Sequence, residues 1–198
     1  MDGGVRRRRA FLLALVVVGL AACTTTPPDT VPTPEDDRPV DLLHDRGAAR
    51  RALEAIEERV GASPAHVSDI TIYPEYMIVE AQDPDVLDHI DTYTWRDKKV
   101  DAPEPVHLSG SQEDVDASLY PTTAVNLSQL PTIVDRAERE LGTARPVRVE
   151  QARATYLYVD RSSSLDGRVT IHLSIDGPRR SGYVETTASG EILSATVS

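Results

Sequence analysis

Two stretches of this chain carry one apolar spacing at a fixed separation. Ala49, Ala52, Leu53, Ile56 and Val60 recur as Leu130, Ile133, Val134, Ala137 and Leu141, each 81 residues later, and Gly61 recurs as Gly142. The i, i+3, i+4, i+7, i+11 pattern gathers five side chains onto one stripe of a 3.6-residue period, so each stretch reads as an amphipathic helix. The glycine marks the end of each helix. Asp45 is placed to cap the first helix and Ser128 the second, with Pro131 in the second helix's first turn. Neither stripe can be buried by its own helix, so the chain poses the same packing problem twice.

Strand-like runs follow both helices. Residues 67–73 precede Tyr76-Met77-Ile78-Val79-Glu80, and residues 147–152 precede Tyr156-Leu157-Tyr158-Val159-Asp160, an offset of 80 that sets aromatic on aromatic and acid on acid. The first half continues with residues 90–95, a polar turn at 96–99 and Val100. The second continues with 169–175, 183–187, a turn at 188–190 and 191–197. The two final turns are 92 residues apart, so the second half holds about one strand more. The fold expected is α+β: two tandem units, each one helix packed on an antiparallel β-meander, over residues 41–106 and 128–198 with a connector at 107–127.

Alternation divides the strand residues between two faces. If Met77, Val79, Leu157 and Val159 meet the helices, then Tyr76, Ile78, Tyr156 and Tyr158 lie on the opposite face. A unit of about 60 residues buries little alone, so the expected arrangement packs the two bare faces together as an inter-repeat core. In the other arrangement the aromatic face stays open and grips a peptide or glycan. Tyr93 and Trp95 share a face, and the sequence leaves open which.

The segment Gly182-Tyr183-Val184-Glu185-Thr186-Thr187-Ala188-Ser189-Gly190-Glu191-Ile192-Leu193 resembles the final hairpin of PepSY-like domains, in which a Tyr-bearing strand meets a turn ending in Gly and a short apolar strand. The resemblance covers residues 128–198 and, more faintly, 45–106, and two copies in tandem resemble a β-lactamase-inhibitor-like arrangement. It implies a binding or inhibitory module of the cell envelope without catalysis.

The amino end reads as a processing signal. Arg6, Arg7, Arg8 and Arg9 precede an apolar run at 10–22 that is too short to span a bilayer as a mature helix. The run closes in Leu20-Ala21-Ala22-Cys23, which resembles the lipobox of bacterial lipoproteins. That resemblance implies a signal peptide at 1–22 and a Cys23 that becomes the first mature residue, carrying thioether-linked diacylglycerol as a durable anchor. Arg8-Arg9-Ala10-Phe11-Leu12 also looks like a twin-arginine motif, so the export route, Sec or twin-arginine, stays open. Residues 23–40 form a tether. Five Pro, five Thr and four acids between 24 and 39 bury nothing, and in extended form they reach on the order of 50 Å.

Charge and composition narrow the function. The chain has 21 bases against 32 acids; loss of the signal peptide removes four Arg and one Asp, leaving a formal charge of −14. Such a body is repelled by nucleic-acid phosphates and anionic head groups, so no nucleic-acid partner is expected and the membrane is met only through the lipid. One Cys permits no internal disulfide. Nucleophile-elbow, zincin, dinucleotide and P-loop strings are absent, and His44, His66, His89, His107 and His172 include no pair at metal-sharing spacing. The acidic run from Asp83 to Asp91 lacks the EF-hand glycine and terminal Glu and reads as a solvated turn. The acids at 112–116 read as solvated connector. The expectation is therefore no enzyme, no cofactor, no metal and no catalytic residues. It is an exported, lipid-anchored binding or inhibitory module acting on an envelope protein or peptide, its body in the periplasm or extracytoplasmic space. The alternative is a structural or assembly lipoprotein docking onto a larger envelope complex.

Overall fold

A computed structural model describes residues 39–108, 111–162 and 166–198. Cys23, the signal peptide and nearly all of the tether lie outside the described residues. The chain runs through helix α1 (Ala48–Val60) into strands β1 (His66–Ile72), β2 (Tyr76–Gln82) and β3 (Ile90–Arg96). Short strands β4 (Lys99–Val100) and β5 (Glu104–Pro105), helix α2 (Gln112–Ser118) and strand β6 (Tyr120–Pro121) follow. Helix α3 (Leu130–Thr143) then leads into β7 (Arg153–Ser162), β8 (Arg168–Asp176), β9 (Ser181–Thr187) and β10 (Ile192–Val197).

Both repeated stripes are helical, and all ten of their apolar residues are buried. Gly61 ends α1 in the left-handed conformation, its N–H returning to the Glu57 carbonyl. The other end signals differ from the expectation. Asp45 does not cap α1: Gly47 holds that position, while the Asp45 carboxylate accepts the Asp41 N–H. Ser128 falls inside a 3-10 turn, Leu127–Gln129, capped by Asn126, so Gln129 precedes α3; Pro131 does sit in the helix's first turn. Gly142 lies within α3, one residue before its end.

The strands form one antiparallel sheet in the order β10-β9-β8-β7-β1-β2-β3-β4. This corrects the expected face-to-face packing of the two halves. They meet edge to edge through β1 and β7, with Ile70 opposite Val159, Thr71 opposite Tyr158 and Ile72 opposite Leu157. The joint pairs two strand edges that would otherwise stay open, and it aligns apolar residues into rows crossing the whole sheet. One row is Trp95, Met77, Ile72, Leu157, Leu173 and Val184; another is Tyr93, Val79, Ile70, Val159 and Ile171. All of these are buried under α1 and α3, so Tyr93 and Trp95 belong to the helix face.

Residues 147–152 are not a strand. Val149 turns inward and donates to the Leu141 carbonyl, and Gln151 has a positive φ of 51°. The first strand after α3 is therefore β7, as β1 is the first after α1, and the pairing of Tyr76–Glu80 with residues 156–160 is off by one strand. In β1 the helix-facing residues are Val67, Ile70 and Ile72, with a bulge between 67 and 69. In β7 they are Ala154, Leu157 and Val159, with a bulge between 154 and 156. These sets stand 87 residues apart. The helices stand 81 apart, and the difference lies in the longer loop before β7.

Residues 81 apart also anchor both halves. Glu57 of α1, buried, accepts from the Ser63 hydroxyl at 3.0 Å and from the Thr122 hydroxyl. Glu138 of α3 accepts the Ala154 N–H at 2.8 Å and lies 2.9 Å from His44 Nε2. The other His44 nitrogen meets Asp41 at 3.0 Å, and Arg153 reaches the same carboxylate, so the segment before α1 is fastened to α3 and β7.

The described residues of the connector, and the strand β5 just before it, form regular elements. Strand β5 pairs with β3 and β6 with β1, and the Tyr120 hydroxyl, deep in the core, donates to the Val159 carbonyl at 2.7 Å. Burial first, then Asp69 and Asp160, push that phenol up. The acids at 112–116, solvated as expected, are carried on helix α2. It buries nothing and stands on a capping box between Ser111 and Asp114. Among the described residues no helix is long and apolar enough to cross a membrane.

Candidate functional site

Because α1 and α3 both cover one face of the sheet, the other face is covered by neither of them and, among the described residues, is the bare face. Tyr76, Ile78, Tyr156 and Tyr158 all lie on it, half-buried. Tyr73, in the turn between β1 and β2, links two of them: its ring stacks on Tyr76 at 4.4 Å and on Tyr156 at 5.4 Å between centroids. The Arg96 guanidinium sits 4.6 Å over the Tyr76 ring. Tyr158 stacks on His172 at 4.5 Å. A cation and a run of rings thus extend from β3 across the β1–β7 joint. Tyr73 and Arg96 carry no periodic signal, one being in a turn and the other at a strand end, and the sequence reading missed both.

Beside the rings lies a group of carboxylates. Asp69 on β1 stands opposite Glu80 on β2, and Asp160 extends from β7. Burial pushes the Asp69 carboxyl up to about 6, with Glu80 and Asp160 adding like charge against the Thr71 hydroxyl that donates to it at 2.8 Å. His172 Nε2 lies 3.2 Å from Asp160 and 2.9 Å from the Thr170 hydroxyl. Burial first and then Asp160 also raise the Tyr158 phenol. Among the described residues no three His, Cys, Asp or Glu side chains are grouped to hold a metal ion. The acidic run at 83–91 forms the turn between β2 and β3 up to His89 and enters β3 at Ile90 and Asp91, and Asp83 accepts in the turn from the N–H groups of Asp85 and Val86.

The raised Asp69 carboxyl gives a pH prediction. Above its ordinary value of 3.8 the unfolded chain ionises this group while the folded chain resists, so folded stability falls from about pH 4 to about pH 6 and stays reduced above. Asp69→Asn is expected to raise stability by about 2 kcal/mol at pH 7 and by nothing below about pH 4, in urea titrations across that range. A gain independent of pH would contradict the assignment.

Toward the β10 edge the face sinks into a depression of about 270 Å³. Tyr156, Tyr158 and Tyr183 supply rings, Glu185 a carboxylate, and Ser194 and Thr196 the low wall on the edge side. Tyr183 is 57% exposed.

No family model matches the chain, and no curated protein matches it in sequence. A solved structure from Clostridium difficile 630, named a "putative lipoprotein", matches with a TM-score of 0.54 at 11% identity, over 83% of this chain and 97% of that one. At that identity the likeness concerns the fold: an α+β architecture built on a large antiparallel sheet.

Proposed function

We propose that this protein is an exported, lipid-anchored, non-enzymatic binding module of the bacterial envelope, holding an envelope protein or peptide on its bare sheet face. The observation that carries the reading is the continuous run of Arg96, Tyr76, Tyr73 and Tyr156 on the side that neither α1 nor α3 covers. Rings held in mutual stacks offer rigid apolar area at low entropic cost, which is what a binding surface needs. The buried Asp69 carboxyl, pushed up by its burial, costs stability where it stands, as a residue kept for a partner does. The name of the clostridial structure and the Leu20-Ala21-Ala22-Cys23 string both favour anchoring through Cys23. The matching bulges of β1 and β7 and the matched Glu57 and Glu138 favour descent from a duplicated helix-plus-meander unit of PepSY-like kind.

Formaldehyde crosslinking of the full chain in intact cells, followed by mass spectrometry, tests the reading. A discrete envelope partner is expected, lost in Tyr76→Ala while melting shifts little. Equal capture by wild type and Tyr76→Ala would count against the face.

A further inference from the structure

Strand β10 ends the sheet, and among the described residues no strand pairs with its outer side. Its sequence, Ile-Leu-Ser-Ala-Thr-Val, holds no charge and no proline, and residues 193–196 are all exposed. Proteins ordinarily blunt such an edge with lysine, proline or a covering loop. The Ser198 N–H donates inward to the Ser181 carbonyl, so by alternation the N–H and C=O groups of Ala195 and Val197 point away from the sheet, ready for another strand.

The depression adjoins that edge. Its wall there is only Ser194 and Thr196, and Glu185 behind it has no ion pair among the described residues, its one hydrogen bond being a long 3.4 Å contact from Ser194. We propose that β10 accepts an extended, lysine- or arginine-bearing peptide as an added strand, one cationic side chain reaching over Ser194 to meet Glu185 among Tyr156, Tyr158 and Tyr183. The inference rests on the bare face being a binding surface and names the chemistry of what it binds. An added strand would lie about 10 Å from β9, two strand spacings, which a long basic side chain and Glu185 cover together and a short one does not. The rings supply cation–π contact, and the acidic body repels the opposite charge. Main-chain pairing would give affinity and the depression selectivity.

The test uses the full chain in detergent micelles at physiological salt and two fluorescein-labelled nonapeptides, valine alternating with lysine in one and with glutamate in the other, read by anisotropy. The lysine peptide is expected to bind at least about tenfold more tightly than its twin. Ala195→Pro removes an outward N–H without touching the β9 ladder, as an edge strand tolerates, and is expected to cost at least about tenfold with melting retained. Glu185→Gln should cost as much with no backbone change, and Glu80→Gln, on the same face but far from the edge, should cost little.

Equal binding of the two peptides, unchanged binding in Ala195→Pro, or an equal loss in Glu80→Gln overturns the inference. So does chitotriose filling the depression while neither peptide binds, or self-association that Ala195→Pro abolishes with no peptide bound. In cells, a crosslinked partner lost in Tyr76→Ala but kept in both Ala195→Pro and Glu185→Gln sinks the edge site and leaves the binding face standing. A partner lost in none of the three sinks the binding face.

Discussion

Leu157→Ala is expected to destabilise the protein by about 3–4 kcal/mol, measured by urea denaturation of the full chain. Leu157 is fully buried and occupies the middle of the apolar row, between Ile72 across the joint and Leu173 on β8. Removing its branch opens a cavity in the middle of the helix-covered face, where the buried neighbours on both flanking strands can relax only in part. Its neighbour Tyr158 points to the other face, and Tyr158→Ala should cost only about 1 kcal/mol. That contrast is the diagnostic. Similar losses at both positions would mean that both faces are buried, as in the face-to-face packing that this sheet replaces.

Glu57→Ala should cost nearly as much, about 3 kcal/mol. The carboxylate holds the Thr122 hydroxyl and Ser63 and has Arg50 at 3.8 Å, and Thr122 is itself completely buried. Truncation leaves that hydroxyl without a partner and frees the connector from α1. Two companions separate hydrogen bonding from charge. Glu57→Gln keeps an acceptor and should lose only about 1 kcal/mol. Adding Thr122→Val to Glu57→Ala removes the orphaned hydroxyl and should recover part of the loss, which independent sites would not do. Strictly additive losses in the double variant would contradict the contact.

What was legible in the sequence was local and periodic. The stripes at 49–60 and 130–141 declare their helices because one turn repeats every 3.6 residues regardless of what lies opposite. Placing Tyr76, Ile78, Tyr156 and Tyr158 away from the helices needs only the two-residue period of a strand. How the halves join was not legible: pairing β1 with β7 is a backbone event between distant residues, and side-chain pattern fits edge-to-edge and face-to-face arrangements equally well. The misplaced strand at 147–152 has the same root. Matching aromatic with aromatic fixed an offset of 80, whereas the bulges at 67–69 and 154–156 mark an offset of 87 that hydrophobic matching does not reveal. Two features could have been found. Ser111-Gln112-Glu113-Asp114 is a capping-box pattern announcing α2, and Glu57 and Glu138 flank equivalent positions of the two stripes. Tyr73 could not, because its place in the stack depends on a turn bringing it over its own hairpin.

The most direct measurement is site-specific photocrosslinking in intact cells, with benzoylphenylalanine placed at Ile78 on the bare face and, separately, at Glu54 on the exposed side of α1. A covalent adduct with an envelope protein or peptide from position 78 and none from position 54 is the predicted result. Adducts from position 54 alone, or equal adducts from both, would contradict it.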